Sequence, residues 1–306
     1  MKALPAKDFL PPLNLQNPPL TSKFIKVYTT FYRLNFPETV HYTGIFDSGA
    51  YSLTAHVFLP RTINGTLFLV HGLFDHSPYF RHIIALCNSL GIATCLFDLP
   101  GHGLSSGKPV EINDFHSYGQ ALKNLVFNCT KVLPPPYHLL GHSTGCCAII
   151  DFLFLHAENF IPDQIIFLAP LVRITHWRLC RALIPPLSRF IGAFPRIHRK
   201  TSSDSVFLEQ VKNDPLQYRL LPLCWFKNLI NWNTWLNNQC KLNKKITMIS
   251  GTDDTIVDWN YNSGKLDQLF SADKVEIPGA KHHLHNECTE FRSKVLSIIQ
   301  NKISNN

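Results

Sequence analysis

The chain has 306 residues, 45% of them hydrophobic, with 29 Lys and Arg against 21 Asp and Glu for a formal net charge of +8. That is enough apolar material for one large core, or a core with an insertion, and it excludes a disordered chain. No stretch approaches the roughly 20 apolar residues of a membrane span, and the N-terminus lacks the basic patch and apolar run of a secretory leader, so export is not expected.

Residues 1–23 carry Pro5, Pro11, Pro12, Pro18 and Pro19, which disfavour regular structure and predict an extended arm lying on the core. Lys23 to Arg33 and Tyr51 to Leu59 read as antiparallel opening strands. Thr66 to Val70 is an apolar strand that ends in His71-Gly72-Leu73-Phe74, a turn whose glycine lets a substrate approach the backbone N–H of Leu73. A helix is expected over Tyr79 to Leu90. The strand Ile92 to Phe97 then leads into the tight loop from Asp98 to Gly107, where three glycines and Pro100 leave His102 a bracing role. A second helix is expected over Val110 to Lys131.

Tyr137 to Leu140 is a short apolar strand and Cys146 to His156 a buried helix; between them stand Gly141-His142-Ser143-Thr144-Gly145. A sharp turn there forces the serine into a strained backbone conformation and lifts its Oγ clear of the sheet. The following helix aims its N-terminal amides at the same place, so Thr144 N–H becomes a second donor for an oxyanion.

The strand Ile165 to Ala169 is separated from the next, starting at Ile246, by far more chain than a crossover needs. Residues 171–236 are therefore expected to form an inserted helical cap, flanked by core segments 24–170 and 237–306. From Leu171 through Lys200 the cap carries seven cations (residues 173, 178, 181, 189, 196, 199 and 200) and no acid, interleaved with Trp177, Leu179, Leu183, Ile184, Phe190, Ile191 and Phe194. Such an amphipathic basic segment suits peripheral docking at an anionic membrane surface. No motif supports nucleic-acid binding.

Ile246 to Ser250 opens into Gly251-Thr252-Asp253-Asp254, and Lys274 to Ile277 runs into Pro278-Gly279-Ala280-Lys281-His282-His283-Leu284-His285; a last helix is expected over Thr289 to Ile303. Serine, then an acid, then histidine is the chain order of a charge-oriented nucleophile on a strand-rich scaffold. Spacing alone leaves open Asp253 or Asp254, and His282, His283 or His285. Alternating strands and helices imply an α/β fold with a mostly parallel sheet covered on both faces. The nine cysteines form no C-x-x-C pair and several fall in apolar runs, which suggests free thiols in a reducing, cytoplasmic setting. The H-H-x-H cluster lacks ligands from a second element or an H-E-x-x-H, so neither metal nor cofactor is expected.

From His71 to the C-terminus the chain resembles the monoglyceride lipase and lysophospholipase branch of the α/β hydrolases, often called serine aminopeptidase-like hydrolases. His71-Gly72 with His76-Ser77 is similar to that family's H-G-x-x-x-H-S loop, and Asp98 to Gly107 to its D-x-x-G-H-G-x-S-x-G loop. Gly251 to Asp258 resembles G-x-x-D-x-x-x-D, Gly279 to His282 resembles G-A-x-H, and Asn213-Asp214-Pro215-Leu216 resembles a short cap sequence; Glu287 falls where the family tends to carry an acid. Thr144 and Cys146 depart from its usual methionine and glycine, and Pro100 from its usual arginine. The resemblance implies an α/β hydrolase fold, Asp254 and His282 as the partners of Ser143, and oxyanion donors at Leu73 and Thr144. It also implies a lipid ester with one acyl chain as substrate; a short-chain esterase or thioesterase, or a non-catalytic binding protein of the same fold, are the alternatives.

Overall fold

The computed structural model describes residues 10–197 and 199–304. Its centre is an eight-stranded sheet built from β1 (Thr39–Ser48), β2 (Tyr51–Pro60), β3 (Gly65–Val70), β4 (Ile92–Phe97), β5 (Tyr137–His142), β6 (Gln164–Leu168), β9 (Lys245–Gly251) and β10 (Ser271–Ile277), in the order β1-β2-β4-β3-β5-β6-β9-β10. β1 pairs antiparallel with β2 and β2 antiparallel with β4; every other pairing in the sheet is parallel. The central strands are apolar at successive positions because both faces are covered. Phe68 and Val70 of β3 join one core and Leu67 and Leu69 the other, the period-2 alternation of a strand buried on both sides.

Helices α3 (His116–Cys129), α4 (Thr144–Leu155) and α8 (Trp259–Leu269) supply the first core, and α1 (Lys23–Phe31), α2 (Arg81–Ser89) and α9 (Thr289–Ser304) the second.

Two expectations are corrected. Lys23 to Arg33 is not a strand: residues 23–31 form α1. The segment is rich in aromatic and β-branched residues, but Ser22 Oγ accepts a hydrogen bond from the Ile25 N–H at 3.2 Å and caps the helix. Ile25, Tyr28, Thr29 and Tyr32 then bury one face at helical spacing. The antiparallel partner of β2 is β1, joined to it through Gly49 and Ala50, with Gly49 at φ +58°. The second correction is the start of α3, at His116 and not Val110. Val110 is held at φ +59° with its N–H on the Gly101 carbonyl, so the preceding stretch belongs to the loop from Asp98. In the N-terminal arm, residues 1–9 lie outside the described residues. Leu10 is buried, and Pro11 and Leu13 bond with the backbone of Ile45 in β1.

Between β6 and β9 the chain forms α5 (Trp177–Leu187), the two-stranded β7 (Ala193–Pro195) and β8 (Leu220–Pro222), α6 (Ser205–Asn213) and α7 (Leu223–Asn237). α7 packs Trp225, Leu229, Trp232 and Leu236 into the first core, and Trp232 Nε1 donates to the buried Asp151 carboxylate at 2.7 Å.

Candidate active site

Ser143 sits between the end of β5 and the start of α4 at φ 51°, ψ −113°, a strained conformation for a residue with a side chain. It is tolerated because the surroundings fix it. Ser143 N–H donates to the Leu168 carbonyl at 3.0 Å, and its own carbonyl accepts from Cys146 and Leu171. A Cβ on Gly145 would fall 1.9 Å from the Val70 carbonyl oxygen, and one on Gly141 would fall 2.7 Å from Cys146 N. Both glycines are thus required for β5, β3 and α4 to meet closely at this turn.

The turn after β3 lies directly against the serine. A Cβ on Gly72 would meet Ser143 Cβ at 3.1 Å, which puts the Gly72 backbone against the strand-to-helix elbow around Ser143. His71 organises the turn: its Nδ1–H donates to the Gly72 carbonyl at 2.8 Å, and Nε2 accepts the Leu99 N–H at 2.9 Å. Phe74 is held at φ +65°. Among the described residues, neither the Leu73 nor the Thr144 N–H is taken by another group, and Thr144 opens α4, where backbone donors are orphaned. The adjoining loop is tied in by Asp98, which accepts from Ser77 N–H, Ser77 Oγ and Leu104 N–H at 2.7–2.8 Å. His102 braces it from within, its Nδ1 2.9 Å from the Pro100 carbonyl.

The loops after β9 and β10 bring Asp254 to His282, with Oδ2 2.7 Å from Nδ1. Asp254 is buried and its other oxygen accepts from the N–H groups of Ile256 and Val257; Asp253 is exposed and makes no such contact. Burial alone would raise the Asp254 carboxyl, but His282 and the two amides hold it below the usual carboxylate range. Burial likewise disfavours a charged His282, and the carboxylate beside it outweighs that effect, so this imidazole is more basic than an ordinary histidine. Glu287 shapes the loop around His282. It is fully buried and accepts from Lys281 N–H at 2.7 Å and from Ser203 N–H at 2.6 Å, so it also fastens the segment between β6 and β9 to this loop.

Three further residues complete the surroundings. Asp75 lies between a histidine at the end of β5 and one in the loop after β10, 3.1 Å from His142 Nδ1 and 3.7 Å from His283 Nε2. Asp214, from the N-D-P-L stretch, is a buried acceptor for Tyr32 Oη, Tyr79 Oη and His76 Nε2, each at 2.8 Å. Gln217 follows it and donates from Nε2 to the Phe74 carbonyl at 2.6 Å. The motif flagged the Asp214 stretch, whereas Asp75 and Gln217 had no local signal.

His142, His283 and His285 each place a possible metal-ligand atom within 4.8 Å of the others. Both ring nitrogens of His142 are engaged, by Asp75 and by the His282 carbonyl at 3.1 Å, so a cation would have to displace existing hydrogen bonds.

Ser143, Thr144, Leu73 and His282 all line one cavity of about 1310 Å³. Its walls include Leu171, Ile174, Leu208, Trp225, Phe226 and Val257. A hydroxyl, an imidazole fixed by a buried carboxylate, and unpaired backbone donors around one apolar space are the components of nucleophilic acyl transfer.

Residues 61–289 match the family model for serine aminopeptidase, S33. A monoglyceride lipase homolog of monkeypox virus is 26% identical over 247 residues, covering 78% of this chain and 89% of that one. The human monoglyceride lipase is 24% identical over 258 residues, covering 79% and 83%. Among solved structures, a soluble variant of the Saccharomyces cerevisiae monoglyceride lipase superposes with a TM-score of 0.70 at 17% identity, covering 85% of this chain and 92% of that one. The monoacylglycerol lipase of Paleococcus ferrophilus does so with a TM-score of 0.66 at 20% identity, covering 82% and 99%. With that family's model matching three quarters of its length and its sheet sharing the fold of these lipases, the chain belongs to the serine aminopeptidase (S33) family, on the monoglyceride lipase-like branch of the α/β hydrolases.

Proposed function

We propose that the protein is a serine carboxylic ester hydrolase acting on lipids with a single acyl chain, of the monoacylglycerol lipase or lysophospholipase type. The observation that carries this reading is that Ser143 and the His282–Asp254 pair meet one large cavity with predominantly apolar walls. His282 removes the Ser143 proton as Oγ attacks the ester carbonyl, while Leu73 and Thr144 N–H bind the developing oxyanion. His282 then returns the proton to the leaving alcohol, and water, activated by the same imidazole, releases the fatty acid from the acyl-enzyme. Asp254 fixes the imidazole tautomer and stabilises its cation. Residues 171–236 act as the cap, excluding water and holding the acyl chain. A peptidase reading is disfavoured because, among the described residues, the cavity wall carries one acid, Glu209, and it faces Lys212 at 3.8 Å.

The test is hydrolysis of p-nitrophenyl esters of rising chain length with a monoacylglycerol and a lysophospholipid. Turnover should rise by at least tenfold from acetate to medium and long chains. Turnover confined to acetate and butyrate would favour a short-chain esterase or thioesterase, and no turnover with no fluorophosphonate labelling of Ser143 would favour a non-catalytic protein.

The pH dependence follows from the basic character of His282. The base must be neutral, so kcat/KM should rise with pH through a midpoint above the ordinary histidine value of 6.5. Without the carboxylate that raises it, the midpoint should move down. A profile with its acid limb centred below that value would argue against His282 as the base.

No described helix is long and apolar enough to cross a membrane. The outer surface of the insert exposes Leu179, Leu183 and Phe190, the last at 87%, beside the exposed Arg178, Arg181 and Arg189. This surface is suited to docking on anionic lipid, where each cation contributes about 1 kcal/mol. Replacing the three arginines by glutamine should weaken binding to phosphatidylserine vesicles by more than tenfold and leave hydrolysis of a soluble short ester intact; a parallel loss of both would make those charges structural.

A further inference from the structure

The polar part of the cavity wall is strongly one-signed. Among the described residues, Arg196, Arg199, Lys200, Lys212 and Arg219 line it against one acid, Glu209. Lys212 is the cation that faces Glu209; among the described residues, no carboxylate lies within salt-bridge distance of the other four. Arg199, Lys200 and Arg219 are exposed at the mouth, and Arg199 spends Nη1 on the Thr255 carbonyl at 2.6 Å.

Arg196 is different. Its guanidinium is largely withdrawn from solvent, lies 4.0 Å over the Phe74 ring and bonds to Gln217 Oε1, a neutral acceptor. The nearby Asp75 carboxylate is not within salt-bridge distance of it and faces His142 and His283, so this part-buried cation, with an aromatic face and an amide as its direct partners, is costly unless an anion completes its shell. It sits beside the turn that carries Leu73, so an anion on Arg196 would be close to the ester carbonyl bound at Ser143. A guanidinium is also the side chain that matches phosphate oxygens two at a time.

Resting on the ester-hydrolase reading above, we propose that the substrate head group carries a phosphate. The preferred ester is a single acyl chain on a glycerol phosphate, in place of a neutral monoacylglycerol. Arg196 binds the phosphate across one glycerol backbone from the scissile ester, and Arg199, Lys200 and Arg219 draw the anion to the mouth.

The experiment compares kcat/KM for a 1-acylglycerol and the 1-acylglycerol 3-phosphate of the same chain, both below their critical micelle concentrations. It uses wild type, Arg196→Gln and the control Lys123→Gln, which removes a cation outside the cavity. Wild type should prefer the phosphate lipid by at least tenfold, Arg196→Gln should lose at least tenfold of that preference mainly through KM, and Lys123→Gln should keep it. In parallel, calorimetry on Ser143→Ala measures binding of the ether-linked, non-hydrolysable analogues of both lipids, of glycerol 3-phosphate and of inorganic phosphate. The phosphate ether lipid should bind at least tenfold tighter than its neutral counterpart and than either head group alone.

Equal or reversed preference in these assays, or an unchanged ratio in a folded Arg196→Gln, would overturn the proposal. Inorganic phosphate binding as tightly as the phosphate lipid would make this a free-anion site and also overturn it. Preferential binding of the phosphate ether lipid without turnover of any ester would leave the head-group inference standing and sink the hydrolase reading. Should Arg196→Gln fail to fold, the double variant Arg199→Gln/Lys200→Gln is expected to lower the preference three- to tenfold, and no change there would count against the proposal.

Discussion

Ser143→Ala is expected to lower ester turnover by about 10⁴-fold or more, the scale on which loss of the nucleophile acts in enzymes built on this chemistry. The residual rate would come from binding and from the proposed oxyanion donors at Leu73 and Thr144, which the substitution leaves in place. The fold should survive intact. Ser143 is held in its turn by backbone hydrogen bonds to Leu168, Cys146 and Leu171, and these do not depend on its side chain. Thermal unfolding within about 2 °C of wild type, together with loss of fluorophosphonate labelling, would separate a chemical defect from a folding defect. Turnover within tenfold of wild type would remove Ser143 from the mechanism.

The second large effect discriminates between adjacent carboxylates. Asp254→Asn is expected to reduce turnover by about 10⁴-fold, while Asp253→Asn should stay within about threefold. The reason is directional. Asp254 faces inward and accepts the His282 Nδ1–H at 2.7 Å, whereas Asp253 faces solvent. An amide in place of Asp254 can present its NH₂ to Nδ1, which favours the tautomer that carries its proton on Nε2 and cannot take one from the serine. The same carboxylate has a stability signature. Its folded pKa is depressed, so its stabilising contribution is present above the unfolded value and is lost as pH falls through the folded one. Below the ordinary carboxylate value of 3.8, where His282 is already protonated in both proteins, wild type should therefore lose stability with falling pH more steeply than Asp254→Asn. Equal turnover in the two asparagine variants, or the reverse order, would transfer the acid to position 253.

The parallel centre of the sheet was readable because each strand there is a short apolar run bounded by glycine, proline or a polar turn, and both faces are covered. The same is true of the elbow, where glycines at 141 and 145 stand at contacts too close for a Cβ. At the N-terminal edge the signals conflict. The stretch Lys23-Phe-Ile-Lys-Val-Tyr-Thr-Thr-Phe favours a strand by residue type, and helix wins through the Ser22 cap and the burial of Ile25, Tyr28, Thr29 and Tyr32. The choice between Asp253 and Asp254 was invisible to spacing, because neighbours in sequence point in different directions at a turn. Asp75 was invisible, and Arg196 stood out only as one of seven cap cations, for another reason. Their surroundings are assembled from loops far apart in the chain, and nothing within a few residues of either announces the partner.

Asp214 gathers donors from Tyr32 at the end cap of α1, from His76 just before the 3₁₀ turn (Ser77–Phe80), and from Tyr79 within that turn. A buried carboxylate shared among Tyr32, His76 and Tyr79 makes those positions mutually dependent. Removing any one hydroxyl or imidazole changes what the others contribute, so single and double replacements should depart from additivity. In the drift of this sequence over time the four positions form one heritable unit: a change at Asp214 strands three polar groups at once, and a tolerated replacement there must arrive with compensating changes at its partners.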